Sequence, residues 1–198
     1  YNNILNGGNG SSQSYGIQNE AASAEIYNNT IAGGVRASYS YAINLKTSSS
    51  AIIENNILFT LGGYKRYCMI EGSTDSDPTS FKNNTLFDCP TAIYYDADGG
   101  VVLDNASAIE TDLLAEGIAA SGNLIEDPNF VDAAAGDYNL SGSSLCSIAR
   151  GGLDGETLAW GFSDDIEGSA RSANWSMGAY EYDGSCTVRS NFYVSVDM

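Results

Sequence analysis

Short apolar runs alternate with clusters of Asn, Ser and Gly through the first half of this chain, and the runs recur in a fixed pattern. YNNIL (1–5), IYNNTI (26–31), IENNIL (53–58) and FKNNTL (81–86) align on a double asparagine. The second Asn falls at Asn3, Asn29, Asn56 and Asn84, in steps of 26, 27 and 28 residues. LDNA (103–106) continues the series with one asparagine, Asn105. A second set runs in phase with the first: SYGI (14–17), SYAI (40–43), YCMI (67–70) and TAIY (91–94). Ile17, Ile43 and Ile70 each lie 14 residues after their Asn, and Ile93 lies 9 after its own.

Each run is short, β-branched or aromatic, and bounded by turn-forming residues such as AGG (32–34), TSSS (47–50) and LGG (61–63), which reads as a strand. A unit of this length cannot bury its apolar face alone but does so when stacked on its neighbour, so the repeat predicts a solenoid over residues 1–105. Strands in such a stack lie about 4.8 Å apart, with equivalent residues above one another. Ile17, Ile43 and Ile70 are then expected in one apolar column, with Tyr15 and Tyr41 stacked in another. Asn3, Asn29, Asn56 and Asn84 are expected to form a ladder of side-chain amides. Asparagine also tolerates the left-handed backbone of a sharp corner, so these residues are read as architecture.

Two further elements follow from patterning. SAIETDLLAEGIAASG (107–122) has Ile109, Leu113 and Ile118 near one face, Ser107 and Glu110 at capping-box spacing, and Gly122 as a C-terminal stop. A helix here would cover the open edge of the last rung. In the tail, Phe192, Val194, Val196 and Met198 alternate with polar positions, the pattern of a half-buried strand. Tyr1 opens within a repeat, so the sequence reads as a processed or truncated piece of something larger.

The NNxI/L rungs resemble right-handed parallel β-helix proteins of the pectin-lyase-like superfamily. GNLIEDPNFVD (122–132), GDYNLSGSSLCSIARGG (136–152), DDIEGSAR (164–171) and SMGAYEYDG (176–184) are similar to the closing segment of secreted and cell-surface β-helix proteins, including choice-of-anchor proteins. SSLCSIARGG departs from that pattern in lacking its proline and aspartate. The resemblance, with the general bias of parallel crossovers, implies a right-handed helix. The expected fold is all-β: a right-handed parallel β-helix with a short capping helix and an irregular C-terminal closing segment. Residues 106–184 hold that helix and closing segment, and 185–198 a linker or strand toward a next module or neighbouring subunit.

Eight Lys plus Arg against 25 Asp plus Glu give a net charge of −17, which disfavours nucleic acid and anionic membrane surfaces as partners. The chain has no histidine, which removes Ser-His-Asp and Cys-His catalysis and HExxH zinc sites. Of the superfamily's polygalacturonase-like motifs, Asp164–Asp165 is the only echo. A pectate-lyase-like calcium cluster with its basic Arg or Lys has no matching signature. No apolar run approaches the roughly 20 residues of a membrane helix.

Cys68, Cys89, Cys146 and Cys186 form no CxxC pair, and an even count in an acidic chain suits disulfides in an oxidising, extracellular setting. Of three connectivities, Cys68–Cys89 with Cys146–Cys186 is favoured. Rung alignment puts Cys89 over Arg66, two residues from Cys68, a Cα separation of about 8 Å. Sequons at Asn9, Asn28, Asn83, Asn105, Asn139 and Asn174 are glycosylation candidates. Asp96, Asp98 and Asp104 offer hard oxygen ligands around a turn, a candidate calcium set lacking the full twelve-residue loop. Asp75 and Asp77 read as ordinary loop residues. Asp165, Arg171 and Glu181 are expected to form an ion-paired clasp in the closing segment.

The expected function is a noncatalytic structural or adhesive module of a large extracellular or cell-surface protein, joined end to end with neighbouring β-helix modules or copies of itself. The alternative is a carbohydrate-binding or polysaccharide-degrading β-helix, a lyase or glycoside hydrolase if an enzyme, whose active rungs lie upstream.

Overall fold

Three strands per turn wind the chain into a parallel β-helix in the computed structural model, which describes residues 1–189. The first rung holds β1 (Ile4–Asn6), β2 (Gln13–Glu20) and β3 (Ser23–Tyr27). The second holds β4 (Thr30–Gly33), β5 (Tyr39–Lys46) and β6 (Ser50–Glu54), and the third β7 (Ile57–Thr60), β8 (Lys65–Glu71) and β9 (Pro78–Lys82). The fourth begins with β10 (Thr85–Phe87) and β11 (Ala92–Asp96), then folds back through the antiparallel β12 (Val101–Leu103) into helix α1 (Ala106–Ala115). The chain rejoins the stack at β13 (Ala119–Ser121) and β14 (Leu124–Ile125). The resulting sheets run β1-β4-β7-β10-β14, β2-β5-β8-β11-β12 and β3-β6-β9-β13.

The corners explain the double asparagines. In each pair the first residue takes the left-handed backbone: Asn2, Asn28, Asn55 and Asn83 have φ of 51°, 49°, 59° and 50°. The second turns inward and builds the ladder. Asn3, Asn29, Asn56 and Asn84 each donate backbone N–H and Nδ2 to the side-chain oxygen of the next residue in the stack, at 2.9–3.2 Å. The fifth member is Asn123, not Asn105, and Gly122 (φ 70°) takes the left-handed place before it. Asn105 instead caps α1, its Oδ1 accepting from Ala108 N at 2.9 Å.

The isoleucine column also differs from expectation. Ile17 and Ile43 are level, but Met69 takes the third place and Tyr94 the fourth, while Ile70 lies level with Asn44 and outside the core cluster. The cause is a shorter turn: Tyr67 follows Asn56 by 11 residues, whereas Tyr15 and Tyr41 follow Asn3 and Asn29 by 12. The strand keeps the tyrosines in register and slips everything after them.

Helix α1 is bounded by the Asn105 cap and by Gly117 (φ 85°), so neither Ser107 nor Gly122 marks its ends. Ile109 and Leu113 are wholly buried against the rung core. The helix thus covers the C-terminal end of the stack, while β1, β2 and β3 remain at the edges of their sheets. The closing segment forms the hairpin of β15 (Phe130–Asp132) and β16 (Asp137–Leu140), one helical turn at Cys146–Ala149, and irregular chain to residue 189.

Both disulfides are present, Cys68–Cys89 and Cys146–Cys186, with Cα separations of 5.5 and 5.0 Å. Cys89 does not stack over Arg66; Thr91 holds that place, donating its N–H to Arg66 O. Cys89 sits in the turn after Asp88 (φ 50°), which bends it toward Cys68 and removes the longer separation expected of ideal strands. Residues 185–189 are tied down through Cys186 and through Thr187, whose backbone bonds Ser144 and Cys146. The alternating tail strand at 192–198 lies outside the described residues.

Candidate functional site

The outer asparagines reach sideways into the closing segment. Asn28 Nδ2 donates to Ser176 O, Asn83 Nδ2 to Gly151 O, and Asn55 exchanges two bonds with Leu153, at 2.7 and 2.8 Å. Asn2 accepts from Arg171 Nη2 at 2.8 Å and donates to Asp164 O. One column of the repeated pair therefore holds the rungs to each other, and the other holds the closing segment to the rungs while adding one rung-to-rung bond, from Asn55 Nδ2 to Asn28 Oδ1 at 3.3 Å. Among the glycosylation candidates Asn28 is wholly buried with its amide on Ser176, and Asn83 is half-buried with its amide on Gly151. Asn9, Asn105 and Asn174 are exposed, and Asn139 is half-buried with Nδ2 on Asp137.

Arg171 is the centre of this docking. Its side chain is wholly buried, pairs with Glu181 at 3.2 Å, and also donates to the carbonyls of Asp164, Ser176, Gly178 and Ala179. Burial lowers its pKa, and Glu181 and Asp165 oppose that shift. Asp165 is not its ion-pair partner in the clasp. Its carboxylate accepts the N–H groups of Glu167, Ser169 and Glu181, fixing the loop that carries the clasp.

Tyr15, Tyr41 and Tyr67 stack along the β2-β5-β8 sheet with centroid spacings of 5.1 and 5.2 Å, and Tyr39 joins Tyr41 at 6.3 Å. Lys46 and Lys65 lie over Tyr15 and Tyr39 at 5.9 and 5.4 Å, within cation–π range. Burial, then the neighbouring tyrosines, pushes the Tyr41 phenol up to about 12. Elsewhere Tyr27 stacks on Trp160 at 4.3 Å beside a groove that also takes in Ile52, Glu54 and Lys82.

The calcium set predicted from sequence is not assembled. Asp96 turns its carboxylate into its own turn, accepting from Asp98 N and Gly99 N, while Asp104 accepts from Ile93 N. Among the described residues, the acidic group with oxygens within 4.8 Å of one another is Asp96, Asp112 and Glu116. Asp112 and Glu116 sit one helical turn apart on α1, a spacing that puts both on one face. Beneath Asp96, Glu71 closes β8, since Tyr95 pairs with Ile70 in the neighbouring register position. Glu71 is 1% exposed, and the buried Tyr94 hydroxyl donates to its Oε1. Burial above all pushes Glu71 up to about 9, with Asp96 and Asp77 adding to the rise. Burial and the surrounding carboxylates, Asp96 first, raise Glu116 to about 7. Asp77, read as a loop residue, is drawn into this group, its pKa raised by burial, then by Asp98 and Asp96. The helix spacing of Asp112 and Glu116 is visible in the sequence; their meeting with Asp96 is not, because it depends on where α1 crosses the stack.

A family model described as right-handed β-helix region matches residues 15–147. The chain belongs to the right-handed β-helix family. That match covers most of the rungs together with α1 and the start of the closing segment. Comparison with curated proteins and with solved structures gives no match. No helix among the described residues is long and apolar enough to cross a membrane.

Proposed function

We propose that this β-helix is a structural or adhesive module of an extracellular protein, stacked end to end on another β-helix unit, either in tandem or in a second copy. The observation that carries this reading is the asparagine ladder, which joins each rung to the next by the same one-directional bonds from Asn3 to Asn123 and so can join a further unit in the same way. Every ladder bond runs from the earlier asparagine as donor to the later as acceptor, so Asn3 Oδ1 is the acceptor a preceding rung would use. Bare edges recruit strands, and main-chain pairing would give the contact its affinity. Two disulfides and a charge of −17 suit an oxidising exterior.

Hydrogen exchange tests this. Edge-facing amides of β1, β2 and β3 should exchange fast in the isolated chain and slowly in protein from its native source. Fast exchange in both would refute stacking on the first rung.

The groove beside Tyr27 and Trp160 supports carbohydrate binding as a second reading, since it joins an aromatic face to the polar ends of Glu54 and Lys82. Calorimetry with neutral and acidic oligosaccharides tests it. Trp160→Ala should abolish any heat of binding, and an unchanged heat would move the contact elsewhere.

A further inference from the structure

We propose that Asp96, Asp112 and Glu116, with Glu71 beneath them, bind a calcium ion that fastens α1 to the fourth rung. Three carboxylates from two separate elements bring oxygens within 4.8 Å of one another. Calcium takes oxygen ligands at about 2.3–2.6 Å, so one ion can bridge oxygens about 5 Å apart; magnesium, at about 2.0–2.1 Å, demands a tighter and more regular cage.

A cluster of acids alone would be a solvated patch. The independent observation here is Glu71, 1% exposed, whose Oε2 finds no hydrogen-bond partner while Oε1 takes the Tyr94 hydroxyl. Tyr95 pairs with Ile70, so the β8–β11 register, carried one residue further, places Glu71 level with Asp96. Asp112 Oδ2 is likewise buried and unpartnered. Buried carboxylate oxygens without donors are costly, and an ion supplies what they lack. No protein cation does so: the ion pairs among the described residues are Arg66–Asp88, Lys82–Glu54, Arg171–Glu181 and Arg189–Glu126, all elsewhere.

Helix geometry adds to the attraction. Glu116 is the C-cap of α1, where carbonyl dipoles concentrate negative potential, and the last turn carries no basic residue. An open groove lined by Asp75, Asp77 and Gly117 reaches the residue that follows Glu116. The ion would hold the helix that covers the C-terminal end of the stack.

Calcium chloride titrated into the chelator-treated full chain at neutral pH provides the test, read by calorimetry and by melting temperature. Expected is one saturable site with a Kd of about 1 mM or below, as in extracellular calcium modules. Magnesium should bind more weakly. Glu116→Gln, at an exposed helix end where folding is not at risk, and Asp112→Asn should each raise the Kd by about tenfold or more. Terbium luminescence excited through tyrosine should appear in the wild type and fall in both variants. Absence of binding up to about 10 mM calcium would overturn the proposal. Equal stabilisation of wild type and both variants would overturn it too, since that is screening of a highly charged acidic chain.

Discussion

Glu110 ends the asparagine ladder: its Oε1 accepts both the backbone N–H and the Nδ2 of Asn123, at 2.8 and 3.2 Å. A ladder whose members all donate in one direction needs a final acceptor, and a carboxylate from α1 supplies it. The cap helix is therefore joined to the stack by the same bonds that join the rungs. Glu110→Ala leaves two donors without a partner and should cost about 1–3 kcal/mol in urea-induced unfolding. Glu110→Gln keeps a carbonyl oxygen and should recover most of that loss. Equal losses in both variants would mean that charge, not acceptance, is what Asn123 requires.

Asn55 combines both duties of the outer column, a left-handed backbone with φ of 59° and a two-bond clasp on Leu153. Asn55→Gly loses the clasp but keeps the backbone geometry. Asn55→Ala loses the clasp and also pays the left-handed cost, about 1–2 kcal/mol more. Unfolding free energies should rank wild type, Gly, then Ala. If Ala and Gly are equal, the corner relaxes away from the left-handed region.

Much of this was legible in the sequence, and the failures have a common cause. The repeat exposed the rungs, the inner ladder and the tyrosine stack because all three recur at near-constant spacing. Periodicity could not show that Tyr67, not the isoleucine, sets the third-rung register, since both count almost equally from Asn56. Asn123 was missed because α1 and the β12 hairpin are inserted before it, and because Gly122 replaces the first asparagine of the pair. Asp98 and Asp104 were favoured by nearness along the chain. Asp112 and Glu116 instead reach Asp96 through the crossing of α1, which no local pattern encodes.

Arg171 should resist its closest replacement. The guanidinium serves Asn2, Glu181 and four backbone carbonyls from a wholly buried position. Lysine carries one ammonium with three donors and cannot span that fork. Arg171→Lys is expected to cost about 3 kcal/mol or more, as expected when a buried charged network is broken. Hydrogen exchange should accelerate first at residues 163–182 while the rung amides stay protected. Uniform acceleration across the rungs would instead make the closing segment inseparable from the solenoid in unfolding.

Alkaline pH offers a separate reading of the tyrosine stack. Tyr41 and Tyr27 are both pushed from 10 up to about 12, chiefly by burial. A phenol whose folded pKa lies above its unfolded one holds its proton more tightly in the native state. Its contribution is therefore complete below pH 10, where both states are protonated. It is lost as pH rises from there to about 12, where the unfolded chain has released the proton and the folded chain has not. The melting temperature should fall across that window, and phenolate absorbance should keep rising toward about pH 12 as these two tyrosines ionise. Tyr41→Phe removes the hydroxyl but keeps the ring between Tyr15 and Tyr67, so neutral-pH stability should change little while the alkaline decline becomes shallower. A decline of unchanged steepness in Tyr41→Phe would assign it to other groups and show that Tyr41 titrates as it would in water.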